Sequence, residues 1–378
     1  MCADIYRAAL QDLEYKGRLR QLTPRVGTDF ASNDYLGLAE SDELRQAVIA
    51  AIARGVPVGA GASRLLRGNH REHEALEAEA AAMFGSERAL YFASGFMANS
   101  AIFSTLPQRG DLVVHDELIH ASVHDGLRAG RAGHRAIRHN DAQAFDDAIV
   151  AWRAAGGTGR PWIAVESLYS MDGDIAPLAE FAAVAQRHDA TLVIDEAHAT
   201  GVLGPDGRGL GADLDGRTDV ISLHTCGKAL GTVGALVCCS RVVRDFLVNR
   251  CRPFIYSTAP SPLTAATVRA ALAISRGQPQ RRERLAGLVS HAGAALERHC
   301  GVRSSGSQIQ PVIVGDDRRA VALASRLQAR GFDIRAIRPP TVPEGTARLR
   351  IAITLNVDEA AIDDMARALG EELGRNAP

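Results

Sequence analysis

Lys228 stands in the run HTCGKALG, between Gly227 and Gly231, directly after the apolar stretch DVISLHT. Most lysines are solvated surface residues, but the neighbours here are nearly uncharged, and the two glycines let backbone pass close to a ligand. A lysine taken out of water has a depressed pKa and becomes a nucleophile able to capture a carbonyl carbon. Upstream, TLVIDEAHATG puts Asp195 at the end of another apolar stretch, with His198 three residues on. A carboxylate at the mouth of a buried strand is costly unless paired. Its partner is either the backbone of the next turn or a cationic ring nitrogen, and the second is what a pyridinium requires. Further upstream, Ser94-Gly95-Phe96 follows ALYF and opens a helical pattern. The free N–H groups and dipole of a helix start can hold a phosphate, though Ser-Gly is also an ordinary cap. ELIHASVHDG carries His120 and His124 one turn apart, with His115 just before them. No acidic third ligand sits at a familiar spacing from that pair, which argues against a metal and leaves His120 for stacking or hydrogen bonding. Cradle, acid and lysine, in this chain order, are far more specific together than singly.

These residues need elements to hold them. Between about residues 71 and 221, short β-rich runs alternate with longer helical patterns: REHEALEAEAAAMFG closed by Gly85, then ALYF, SGFMANSAIFSTL, DLVVHD, a helix from about Ala121, and AIRHND. The alternation goes on with AQAFDDAIVAWRAAGG, capped by Asn140 or Asp141, then PWIAVES, APLAEFAAVAQRHD, TLVIDEAH and DVISLHT. Strands that are apolar almost throughout and separated by helices predict a parallel sheet covered on both faces. In such a sheet ligands bind beyond the carboxyl ends of the strands, where Ser94, Asp195 and Lys228 all fall. After GALVCCS come three helical stretches, and from about residue 309 a smaller set reads strand, helix, strand, strand and a closing helix over 358–375. The expected division is an N-terminal arm over 1–40, a large domain over 41–272 and a small C-terminal α/β domain over 273–378.

The chain has 378 residues, against a prior of roughly 150 per domain, so a sizeable core is available. Lys plus Arg is 43 and Asp plus Glu 44, with no long basic run, so neither a nucleic acid nor an anionic membrane is an expected partner. No apolar stretch approaches the ~18 residues of a transmembrane helix. The first residues, MCADIYRAALQDLEYKGRLRQL, mix acids and bases on a helix-like pattern and do not read as a secretory signal. Six cysteines (Cys2, Cys226, Cys238, Cys239, Cys251, Cys300) form no CxxC pair, so neither a zinc site nor a disulfide framework is expected, and a reducing cytoplasm is the default setting.

At these residues the sequence resembles the α-oxoamine synthases, a family of fold-type I pyridoxal-phosphate (PLP) enzymes. The resemblance runs through NDYLGL, FASGFMAN, HDELIHAS, ESLYSMDGDIAPL, VIDEAHATGVLG, HTCGKALG, IYST and AIRPPTVPEGTARLRI. It implies an α/β fold, with a large domain built on a mainly parallel seven-stranded sheet plus a smaller C-terminal domain, and a PLP-dependent acyltransferase activity. The C-terminal runs IQPVIVGD and AIRPPTVPEGTARLRI are nearest the branch that condenses L-alanine with a pimeloyl thioester, on coenzyme A or an acyl-carrier protein, for biotin synthesis. A sibling using glycine with acetyl- or succinyl-thioester is the alternative. By the same resemblance Lys228 holds PLP covalently, Asp195 pairs with its ring nitrogen, His198 meets the ring hydroxyl and His120 stacks on the ring. Gly95, Phe96 and Thr225 match phosphate ligands, and Ser170 a cofactor contact. Arg350 matches the clamp for the amino-acid carboxylate, with Asn33 near it; Thr341, Arg20 and Arg338 match positions that meet the acyl substrate, and His120 also borders substrate. A homodimer is implied, with Ser257 or Thr258 reaching the partner's phosphate site. Two departures stand out: Cys226, where relatives more often carry Phe or Leu, and a short stretch between Arg20 and Phe30.

Overall fold

The computed structural model describes residues 2–374, without the side chain of Cys2; Met1 and 375–378, including Arg375, the last residue of the expected closing helix, lie outside the described residues. In chain order the strands are β1 (Thr28–Asp29), β2 (Arg88–Phe92), β3 (Leu112–Asp116), β4 (Gly133–Ile137), β5 (Pro161–Glu166) and β6 (Thr191–Asp195). They continue with β7 (Val220–Thr225), β8 (Ala235–Cys239), β9 (Ile309–Gly315), β10 (Phe332–Asp333), β11 (Arg335–Ile337) and β12 (Ala347–Ala352). Contacts divide the chain into two units. The larger takes in Leu36–Ser170 and Ile175–Arg282; the smaller takes in the residues up to Tyr35, Met171–Asp174 and those from Glu283 on. The division therefore falls inside the helix Pro279–Cys300, beyond residue 272.

In the larger unit, β2 to β8 make one seven-stranded sheet in the order β2-β8-β7-β6-β5-β3-β4. Every pair from β7 to β4 is parallel, whereas β8 runs antiparallel to both β7 and β2. The reason lies in the connection. β7 and β8 are joined by the tight turn holding Lys228, closed by the Cys226 N–H on the Gly234 carbonyl at 2.8 Å, and without a crossover helix the chain can only return antiparallel. Successive residues face opposite sides of the sheet. Val193 and Ile221 thus pack in one apolar cluster with Ile102, Val123 and Leu127, from the helices Gly95–Thr105 and Ala121–Ala129. Leu192 and Ile194 pack in the other with Phe145, Ile149 and Phe181, from Ala142–Ala154 and Leu178–Arg187. Asp141 caps the third of these helices, its carboxylate accepting the Ala144 N–H.

The smaller unit has an antiparallel sheet in the order β11-β12-β9 and a separate parallel pair, β1 with β10. The stretch FDIRAIRP, expected as one strand, is therefore two. The break is at Ile334, fully buried, whose N–H turns back to the Phe332 carbonyl at 3.0 Å. Arg18 pins the start of the chain within this unit, donating to Asp317 at 2.5 Å and to both carboxylate oxygens of Glu344. Elements not anticipated include β1, too short to show a period, the helix Asp42–Ala53, capped by Ser41, and the one-turn helix Arg252–Ile255. Cys226, Cys238, Cys239 and Cys251 are buried free thiols and Cys300 is half-buried. Among the described residues no helix is long and apolar enough to cross a membrane.

Candidate active site

The turn after β7 presents Lys228. Its Nζ lies 2.7 Å from His198 Nε2, within hydrogen-bonding distance. Gly231 makes the turn possible: it sits at φ +62°, and a Cβ there would meet the Ala39 backbone nitrogen at 2.4 Å. His198 is buried in the turn that follows β6, so two neighbouring parallel strands deliver the amine and the imidazole to the same end of the sheet.

β6 ends on Asp195, which is 5% exposed. Its Oδ1 accepts the Ala197 N–H at 2.9 Å, and its Oδ2 accepts Asn99 Nδ2 at 2.7 Å. In the adjacent strand Glu166 is in register with Asp195 and equally buried. One Glu166 oxygen accepts the Ser170 N–H at 3.1 Å, and the other has no hydrogen-bond partner. Burial, then the charge of Asp195, push the Glu166 carboxyl up to about 8 against the pull of Lys228. The buried Glu196 is raised as well, to about 7, by burial, although Ser167 and the Gly211 and Leu210 N–H groups favour its charged form.

The helix Gly95–Thr105 starts beyond β2. Ser94 caps it by accepting the Met97 N–H, so the N–H groups of Gly95 and Phe96 head the helix without an intrahelical acceptor. A Cβ on Gly95 would stand 2.7 Å from Thr225 Cγ2: the helix start and the end of β7 close on one another over a space only glycine leaves. Thr225 Oγ1 donates to the Ala197 carbonyl at 3.2 Å. His120 caps the next helix, its Nδ1 2.7 Å from Ser122 Oγ, and Phe96 meets it edge-on at 6.5 Å between centroids. His120 is exposed to solvent. Partial loss of water around the ring lowers its proton affinity, with Asp195 opposing and Lys228 reinforcing the effect. Gly95, Phe96, His120, Ser170, Asp195, His198, Thr225 and Lys228 thus all belong to the larger unit. Among the described residues no group of three His, Cys, Asp or Glu is placed to hold a metal ion.

Ser257 and Thr258 also belong to the larger unit, whereas Arg20, Asn33, Arg338, Thr341 and Arg350 belong to the smaller one. Arg350, 6% exposed on β12, donates through Nη2 to the Tyr35 hydroxyl at 3.2 Å, and that hydroxyl donates to Asn33 Oδ1 at 3.0 Å. The fully buried Tyr35 phenol is raised by burial, with the Arg350 charge working against it. Arg338 donates to the Gly17 carbonyl at 2.6 Å. Burial, and then the charge of Arg20, lower its proton affinity. Thr341 is exposed, its N–H on the Arg338 carbonyl at 3.1 Å.

Sequence reasoning passed over three participants. Asn99 lies one helical turn after Gly95 inside FASGFMAN; Glu166 ends a buried strand as Asp195 does; Tyr35 lies within NDYLGL. The strand-end carboxylate was a usable signal for Glu166. Asn99 and Tyr35 announce themselves only through partners distant in sequence.

The family model of aminotransferase class I and II matches residues 25–369. The 8-amino-7-oxononanoate synthase of Anaeromyxobacter dehalogenans strain 2CP-1 is 42% identical, covering 97% of this chain and 94% of its own. That of Chromobacterium violaceum is 43% identical, covering 88% and 86%. Among solved structures, a serine palmitoyltransferase from S. paucimobilis with PLP and myriocin bound is 27% identical, covers 98% of both chains and superposes with a TM-score of 0.86. The 8-amino-7-oxononanoate synthase of Francisella tularensis is 27% identical, covers 92% of this chain and 98% of its own, and gives 0.78. With a family model over nearly all of its length and relatives above 40% identity, the chain belongs to the 8-amino-7-oxononanoate synthases, within aminotransferase class I and II.

Proposed function

We propose that this protein uses PLP to condense L-alanine with a pimeloyl thioester, releasing carbon dioxide, the thiol carrier and 8-amino-7-oxononanoate. The observation that carries this reading is the gathering of Lys228, His198 and Asp195 at one end of the sheet, beside the Gly95–Thr225 cradle, in a chain 42% identical to a named synthase. The residues fit the cofactor. A Cβ at Gly95 would fill the place where phosphate oxygens need to approach the helix N–H groups, and Asp195 is a buried acidic side chain of the kind that pairs with a pyridinium. When bound, PLP supplies an electrophilic carbonyl carbon and a ring that spreads carbanion charge.

Lys228 Nζ holds the cofactor in the resting protein and, when free, accepts the α-proton of alanine. His198 meets the ring hydroxyl, and its Nε2, 2.7 Å from Lys228 Nζ, orients that amine. Asp195 faces the ring nitrogen, His120 stacks on the ring, and Ser170 contacts the cofactor. Gly95, Phe96 and Thr225 hold the phosphate. Arg350 holds the alanine carboxylate by a planar fork, with Asn33 tied to it through Tyr35. Arg20 and Arg338, with Thr341, receive the acyl substrate, and the two guanidinium groups suit its anionic end. The acyl carrier is coenzyme A or a carrier protein, and the working form is a homodimer in which Ser257 or Thr258 reaches the partner's phosphate.

Product analysis after mixing the protein with PLP, alanine and pimeloyl-CoA tests the reading. The amino-keto acid is expected, and Lys228→Ala should cut its formation at least ~10³-fold. Faster turnover of glycine with acetyl-CoA would replace this reading by the 2-amino-3-ketobutyrate ligase sibling.

A further inference from the structure

We infer that Asn99 is a positioning residue for Asp195, and that the helix Gly95–Thr105 acts through it as a gauge setting the distance between the phosphate cradle and the carboxylate facing the ring. This rests on the reading of Asp195 as the ring's partner. Asn99 is 2% exposed, and its Nδ2 donates to Asp195 Oδ2 at 2.7 Å. The amide orientation is fixed by chemistry, because a carboxylate only accepts. The cost of this arrangement is visible: Asn99 Oδ1 is buried with no hydrogen-bond partner. A polar residue kept merely for packing would be satisfied on both sides or replaced by an apolar one. Here the unmet acceptor is tolerated so that the donor can reach Asp195.

The helix supplies the second half of the argument. Gly95 and Asn99 are separated by four residues, hence on one face and ~6 Å apart along the axis. The same rigid turn that heads the cradle with the Gly95 N–H therefore carries the donor that orients Asp195. The Ala197 N–H holds the other carboxylate oxygen at 2.9 Å, so both oxygens are fixed, one from the cradle helix and one from the turn after β6. Neither donor touches the reacting carbon.

A double-mutant cycle tests this, read as the Kd for PLP from the visible absorbance of the loaded protein, with kcat and the alanine KM alongside. Asn99→Ala should weaken PLP binding about tenfold and lower kcat more than it raises the alanine KM. In an Asp195→Ala background the same change should alter Kd less than ~2-fold, because the group it positions is gone. Equal losses in both backgrounds, or no loss with Asp195 present, would overturn the inference. If Asp195→Ala by itself leaves Kd and turnover intact, the reading of Asp195 falls, separately from that of Asn99. Asn99→Asp covers the case in which alanine unfolds the site. Of equal size, it can donate only when protonated, so its PLP affinity should recover as pH falls from roughly 8 to 6 while wild type stays flat. A flat profile for Asn99→Asp would also overturn the proposal.

Discussion

The carboxyl of Glu166 is raised to about 8 chiefly by burial and then by Asp195, so at neutral pH it keeps its proton while the unfolded chain, near 4.5 for this residue, has lost it. The folded state therefore binds more protons between those two values, and stability falls as pH rises through that window. Glu166→Gln, which is neutral throughout, should lack this fall. Denaturant titrations at successive pH values should show its advantage over wild type growing from about pH 5 to pH 8, and a constant difference would mean that Glu166 is charged in the fold. At Arg350 the prediction is kinetic. Lysine keeps the charge but not the fork, so Arg350→Lys should raise the alanine KM and lower kcat, each roughly tenfold, because orientation of the α C–H bond is lost along with affinity. Unchanged kcat would reduce Arg350 to simple binding. Tyr35→Phe should act the same way but more weakly, since it removes the hydroxyl joining Arg350 to Asn33.

An element's sequence was informative where its period or cap was strong. The apolar runs VVHD, WIAVE and LVID could only be strands covered on both faces, and Asp141 capped its helix because a short carboxylate there reaches the Ala144 N–H. The ends of β6, β7 and β2 point to Asp195, Lys228 and Gly95 from sequence alone. Hidden from sequence were features made by tertiary contact: the antiparallel return of β8, the split at Ile334, the Asn99–Asp195 bond, and the link from Arg350 through Tyr35 to Asn33. Each joins residues whose own neighbours along the chain do not ask for the contact. The cradle gives a test at this scale. Gly95→Ala would drive a Cβ to within 2.7 Å of Thr225 Cγ2, and should weaken PLP binding at least tenfold with little change in the melting of the cofactor-free protein. In that variant Thr225→Ser, which removes the clashing methyl, should restore part of the affinity; no rescue would place the clash elsewhere.

At the scale of the whole molecule, the assignment depends on agreement along 97% of the chain with a named synthase, more than on any one motif. The nearly balanced charge leaves recognition to local pockets. On the proposed reading, preference for alanine over glycine would rest on one methyl, worth only ~1–3 kcal/mol, so glycine should be a slow but measurable substrate, checked by competition at equal concentrations. The homodimer reading predicts that sedimentation at assay concentration shows a two-chain species carrying the activity; a fully active single chain would remove Ser257 and Thr258 from the partner's phosphate site.

The sulfur atoms offer a way of watching this protein fail. Cys226, Cys238, Cys239 and Cys251 are buried, with burial pushing each thiol up, and half-buried Cys300 is raised to about 11 with its Sγ donating to the Ala366 carbonyl. Thiolate, not thiol, is what alkylating reagents capture. In a Cys2→Ser background, a brief pulse of such a reagent should pass the folded molecule by and mark only chains that have opened. The fraction labelled by mass then becomes a census of unfolded molecules, taken in crude extract without purification and on either unit, since Cys300 reports from one and the other four from its companion.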